Sequence, residues 1–95
     1  MEGRVAIIGL GCVGASIGLA LRQQSQELEV VGHDILPERA HKAQQMGAVS
    51  KTNWNLPASC KEAGLVILAL PLPAIRETLE VLGPELEEGC VVTDT

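Results

Sequence analysis

Tyrosine and phenylalanine are missing from this chain of 95 residues, and Trp54 is its single aromatic. Proteins that hold single-stranded nucleic acid stack bases on aromatic rings, so that class is excluded. Clusters of Lys and Arg are missing too: 7 basic residues face 12 acidic ones, for a formal charge of −5. Nothing here would follow a phosphate backbone, and nucleic acid is not expected as a partner. Cysteine is sparse. Cys12, Cys60 and Cys90 lie far apart with no C-x-x-C pair, and His33 and His41 are the two histidines available to complete a ligand set. Neither a disulfide framework nor a metal site is expected, and reduced thiols without a processing signal suit the cytoplasm.

A long apolar segment is the last thing to test. The 17 residues between Arg4 and Arg22 carry no charge, as in a signal peptide or a membrane span. Glu2 spoils the basic flank, Gly9, Gly11, Gly14 and Gly18 interrupt the run, and no small-residue cleavage site precedes Arg22. A soluble domain is expected, with Gly14-x-x-x-Gly18 serving helix packing.

What the chain does contain is aliphatic: 46% hydrophobic residues, enough for one core at this length. Val5–Ile8 and Leu65–Leu70 are continuous apolar runs of the kind buried on both faces of a parallel sheet, and weaker β-rich runs occur at Glu29–His33 and Cys90–Thr93. Helical patterns separate them. The first starts near Gly11 or Cys12 and reaches about Gln24, with Ile17, Leu19, Ala20 and Leu21 as its apolar surface. The second opens at Pro37 and closes at Gly47, with Ala40, Ala43 and Met46 inward. The third begins at Pro73, carries Ile75, Leu79 and Leu82, and stops at Gly83-Pro84. Ala48-Val49 reads as a very short edge strand and Leu56–Ala63 as a short helix. Strands alternating with helices imply an α/β, doubly wound parallel sheet, expected in the order 3-2-1-4-5.

Gly9-Leu10-Gly11-Cys12-Val13-Gly14 follows a strand pattern and opens a helix, the context in which G-x-G-x-x-G marks a dinucleotide-binding (Rossmann) turn. Gly9 permits the tight turn, Gly11 lacks the Cβ that would strike a diphosphate, and Gly14 brings helix and strand together. The diphosphate meets unpaired N–H groups at the positive helix end. Asp34 lies 20 residues beyond Gly14 at the end of the second strand pattern, where such folds place an acid against the adenosine ribose. It has a structural alternative as a helix cap before Pro37. Arg39 and Lys42 lie nearby in sequence. His33 and His41 read as a strand-end and a surface residue rather than catalytic groups. Asp94 and Thr95 close the last strand pattern and point toward the expected cleft, although a solvated acid is an equal reading of Asp94. Cys12, at a helix N-terminus, is either a reactive thiol or a small residue filling the loop.

Taken together, Val5–Ala20 (VAIIGLGCVGASIGLA), Val30–Asp34 (VVGHD), Gly47-Ala48, Leu65–Pro71 (LVILALP) and Val91–Asp94 (VVTD) resemble the prephenate and arogenate dehydrogenases of tyrosine biosynthesis. Ser16-Ile17-Gly18 and Thr93-Asp94 set this pattern apart from the β-hydroxyacid dehydrogenases; pyrroline-5-carboxylate reductase is a more distant likeness. Cys12 and His33 depart from the bulky aliphatic and the aromatic common at their positions. The resemblance implies NAD as cofactor, bound by Gly9, Gly11, Gly14 and Asp34, with backbone at Cys12 and Val13 on the diphosphate and the turn Leu70, Pro71, Leu72, Pro73 beside ribose and nicotinamide. It further implies that residues 1–95 are the N-terminal NAD-binding piece of a longer oxidoreductase whose catalytic histidine, helical substrate domain and homodimer interface lie elsewhere. On that implication this piece holds no catalytic residue and turns over neither prephenate nor arogenate. A non-catalytic nucleotide-sensing module is the alternative.

Overall fold

The computed structural model describes residues 3–25, 27–83 and 91–94. In chain order they form β1 (Gly3–Ile8), α1 (Cys12–Gln24), β2 (Leu28–His33), α2 (Pro37–Gln45), β3 (Lys51–Thr52), α3 (Leu56–Ser59), β4 (Leu65–Leu68), α4 (Leu72–Leu82) and β5 (Val91–Asp94). All pairings are parallel, in the order β3-β2-β1-β4-β5. The doubly wound α/β expectation and its strand order are met.

Alternation along the strands explains the layering. Val5 and Ile7 of β1 join Val30, Ile67, Ala15 and Ala43 on one face, under α1 and α2. Ala6 and Ile8 join Val66, Leu68, Ile75 and Leu82 on the other, under α3 and α4. A central strand wet on neither side must be apolar throughout, as Val5–Ile8 is, and each such side chain contributes roughly 1.5–3 kcal/mol when fully buried.

Several local expectations are corrected. The buried residues of α1 are Gly14, Ala15 and Gly18, whereas Ile17, Leu19 and Leu21 are half-buried and Ala20 is exposed. Close approach is the reason: a Cβ on Gly14 would run into the Gly9 carbonyl oxygen, and one on Gly18 into that of Ala48. Helix α2 ends at Gln45. Gly47, at φ +82°, lets the Gly47 N–H reach Gln44 O at 3.1 Å and the Ala48 N–H reach Ala43 O at 2.9 Å, the paired bonds of a glycine-terminated helix. Ala48 and Val49 are therefore buried plugs beneath that turn rather than a strand, and the edge pairing falls to Lys51 and Thr52. Met46 is 48% exposed rather than inward.

The helix expected at Leu56–Ala63 lasts one turn. Asn55 caps it, its side-chain oxygen accepting the Ala58 N–H, after which three-residue turns and a left-handed Glu62 bring Cys60 and Ala63 into the core. β4 ends at Leu68, two residues early. Helix α4 starts at Leu72 with Pro73 second, and Thr78 rather than Leu79 joins Ile75 and Leu82 inside. β5 runs one residue past the expected Thr93. Pro84, Cys90 and Thr95 lie outside the described residues.

Candidate functional site

The carboxyl ends of β1, β2 and β4 meet at the glycine turn. The Gly9 N–H donates to His33 O at 2.8 Å, tying the turn to β2, and the Ala69 N–H donates to Ile8 O at 2.9 Å, tying it to the end of β4. Gly9 sits at φ +99°, where an added Cβ would lie 2.5 Å from Ala69 O and 2.8 Å from Leu70 Cδ2. A side chain is excluded here both by the backbone angle and by the β4–α4 turn. That contact places Leu70 beside the glycine turn, and Pro71 follows as the N-cap of α4. Leu72 and Pro73 belong to the first turn of α4 rather than to the connection.

Gly11 differs from its two neighbours in the motif. Its φ is −71°, and a Cβ built on it meets no described atom within 4 Å beyond its own residue and chain neighbours. The fold does not need glycine at this position. It is also the N-cap of α1, with no side-chain cap; the first helical bond is Ala15 N–H to Gly11 O at 2.9 Å, so among the described residues the N–H groups of Cys12, Val13 and Gly14 start the helix without an acceptor. Cys12 and Val13 are exposed. Open space where a Cβ would stand, at the N-cap of a helix end rich in donors, fits a bound diphosphate.

Asp34 follows β2 and is half-buried. Its Oδ2 accepts the Leu10 N–H at 2.8 Å and its Oδ1 accepts the Leu36 N–H at 2.9 Å. It does not cap α2, whose N-cap is Leu36. An ionised carboxylate has about four acceptor positions, so two remain for sugar hydroxyls. The carboxylate is thus aimed and braced by backbone on both sides before any ligand arrives.

Between α1 and α2 lies a cleft of about 410 Å³, lined by Leu10, Gly11, Cys12, Ala15, Ser16, Arg39, Lys42, Ala43 and Met46. From this set the sequence points to Gly11 and Cys12 as site residues; it shows Arg39 and Lys42 near Asp34 and Ala43 and Met46 as an inner helix face, but not as one wall of a cleft. The signal was present: 39, 42, 43 and 46 recur at helical spacing, two of them cations, on the helix that follows Asp34. Neither histidine lines the cleft. His33 is 7% exposed and its Nδ1–H donates to Asn53 O at 2.9 Å, while His41 is exposed on α2. Asp94 ends β5 at the carboxyl edge of the sheet. Among the described residues no group of three His, Cys, Asp or Glu is gathered to hold a metal, and no helix is long and apolar enough to cross a membrane.

A braced acid beside an uncapped, sterically open helix start, at the carboxyl ends of parallel strands, defines a nucleotide-binding domain of the Rossmann type. Comparison with known proteins narrows the class. Residues 17–95 match the family described as prephenate dehydrogenase, nucleotide-binding domain, and the chain belongs to that family. The matched stretch begins after the glycine turn, so the turn stands on its own geometry. The prephenate dehydrogenase of Lactococcus lactis subsp. cremoris is 30% identical over 92 residues, 96% of this chain and 25% of that one. The prephenate dehydrogenase of A. aeolicus, solved in complex with hydroxyphenyl propionate and NAD+, superposes with a TM-score of 0.88 at 29% identity, covering 99% of this chain and 33% of that one. Arogenate dehydrogenase of Synechocystis gives 0.87 at 28% identity, covering 97% and 32%. The chain therefore spans about a quarter to a third of the proteins it resembles.

Proposed function

We propose that this chain is the NAD-binding part of a cytoplasmic prephenate or arogenate dehydrogenase. The observation that carries the proposal is the contrast at Gly11: that Cβ direction is open at the N-cap of α1, whose first N–H groups have no acceptor among the described residues. In the relatives most of the chain lies outside the matched part, and the proposal assigns substrate contacts, the proton-accepting group and the dimer interface to that remainder.

Within this chain each residue has a share. Gly11 permits close approach, the N–H groups of Cys12 and Val13 bind diphosphate oxygens, and Gly9 and Gly14 fix the turn that aims them. Asp34 accepts bonds from the adenosine ribose. Leu70, Pro71, Leu72 and Pro73 form the wall beside the nicotinamide end. Bound nicotinamide supplies a hydride acceptor, and in this enzyme class hydride loss from the ring accompanies decarboxylation and yields an aromatic product. The residues described here orient the acceptor and provide no partnered base, since neither histidine reaches the cleft.

Calorimetric titration of the 95-residue chain with NAD tests the binding half, with Trp54 emission as a second readout. Saturable binding without NADH production from prephenate or arogenate is expected. The full-length product of the gene should produce NADH from one of the two substrates. A nucleotide-sensing module would bind and never turn over, even at full length.

A further inference from the structure

His33 ends β2 and is 7% exposed, yet one side of its ring is engaged and the other is not. Nδ1 stands 2.9 Å from the Asn53 carbonyl oxygen, which can only accept, so Nδ1 carries the proton and Nε2 of the neutral ring is a bare acceptor. Nε2 has no partner among the described residues. No wholly buried side-chain nitrogen or oxygen among them lacks a partner, so Nε2 reaches the surface. A side chain more than nine-tenths buried thus shows a single acceptor atom to the outside.

The sheet decides where that atom looks. His33 pairs in register with Ile8, and Ile8 with Leu68, whose side chains lie in the core under α3 and α4; His33 therefore sits at the carboxyl rim of that face, across the sheet from the cleft between α1 and α2. The two nitrogens of an imidazole diverge. With Nδ1 turned to the loop after β3, Nε2 is turned away from it, toward β1 and the rim where the strand order reverses. Asp34 is the next residue, and the loop that His33 holds carries Trp54, which like Ile35 is 87% exposed. A ribose on Asp34 would carry its base about one sugar's width away, onto a rim that offers apolar surface and one acceptor. We propose that His33 Nε2 accepts a hydrogen bond from the amine at position 6 of the adenine, so that this chain selects an adenine base over one with a carbonyl there. The inference rests on the dinucleotide reading given above. An amine donates to the bare nitrogen, whereas a carbonyl would set acceptor against acceptor and leave both unpaired. The Asn53 bond gives the choice its direction, because it fixes which nitrogen holds the proton.

The test is calorimetric titration of the 95-residue chain with NAD and with nicotinamide hypoxanthine dinucleotide, in which a carbonyl replaces that amine, reading the ratio of the two affinities. The wild type should favour NAD by about tenfold or more. H33N keeps an N–H for the Asn53 carbonyl but has nothing in the place of Nε2, and should bring the ratio close to one. H33Q reaches further and can set its amide oxygen where Nε2 stands, so it should keep much of the preference. Equal affinities in the wild type overturn the inference while leaving NAD binding intact, and they do so whether or not a variant folds. An H33N protein that weakens both dinucleotides by the same factor, or neither, overturns it as well, because His33 would then serve the loop alone. Failure of the wild type to bind either dinucleotide would instead overturn the cofactor reading, and this inference with it.

Discussion

The two ends of the sheet treat their charges in opposite ways. At the amino end Arg4, the cross-strand partner of Glu29, donates from Nε at 3.1 Å and from Nη2 at 3.0 Å to one carboxylate oxygen, while Lys51 Nζ stands 2.7 Å from the other. Three adjacent strands are clasped by side chains that satisfy one another. At the carboxyl end the first N–H groups of α1 have no acceptor and Arg39 and Lys42 no partner among the described residues, and Ile35 and Trp54 are each 87% exposed. A chain that pairs charges at one edge has left them open at the other. The difference teaches where to look for a ligand: an uncapped helix start at the carboxyl ends of parallel strands offers its donors to an anion.

The sharpest way to break this contrast is to damage the turn that creates the open end. Gly14→Val would drive a branched side chain into the Gly9 carbonyl and Ala69. Overpacking of this kind costs roughly 3 kcal/mol. The thermal midpoint of the ligand-free domain should fall by well over ten degrees, about what such a loss implies for a domain this size. An unchanged melt would show that α1 does not rest on β1 as described.

A smaller effect separates the cofactors. A 2′-phosphate placed at the Asp34 carboxylate meets like charge at close range, a repulsion on the order of 1–4 kcal/mol. NAD should bind at least about tenfold more tightly than NADP. Equal affinities in calorimetry would remove Asp34 from the ribose.

The closed end predicts the mildest result. Hydrogen bonds from Lys51 and then Arg4 hold the Glu29 carboxyl below its ordinary value of 4.5. A carboxylate with a depressed folded pKa contributes stability above its unfolded pKa and loses it as pH falls through the folded one. Glu29 is 36% exposed, so solvent screens the cluster and Glu29→Gln should cost under about 1 kcal/mol near neutrality. In urea melts the variant and the wild type should converge in acid. A gap that persists at low pH would show that the cost is packing rather than charge.

How far these two ends could be read in advance depended on periodicity. Val5–Ile8 and Leu65–Leu68 announce a doubly buried sheet because a strand covered on both faces cannot alternate. The glycine turn and Asp34 were legible because each glycine answers a distinct geometric need at fixed spacing. Lys51-Thr52 was not, since two residues carry no period and the apolar Ala48-Val49 beside them reads as the better strand. Leu79 was misplaced inside because the 75, 79, 82 spacing and the true 75, 78, 82 spacing are both helical, and a threonine reads as polar. The cations of α2 were visible near Asp34, but their place on the cleft wall was not. Sequence shows a charge but not whether a partner lies across a cleft.

The measurement that bears most directly on the account is NAD titration of Gly11→Ala alongside a melt of the same protein without ligand. The added methyl meets no described atom within 4 Å beyond its chain neighbours, so the apo midpoint should barely move. The methyl stands where a diphosphate must come close, and losing one or more charge-assisted N–H bonds, each worth roughly 1.5–3 kcal/mol, should weaken NAD about tenfold or more. Wild-type affinity in a normally folded Gly11→Ala protein would contradict the account.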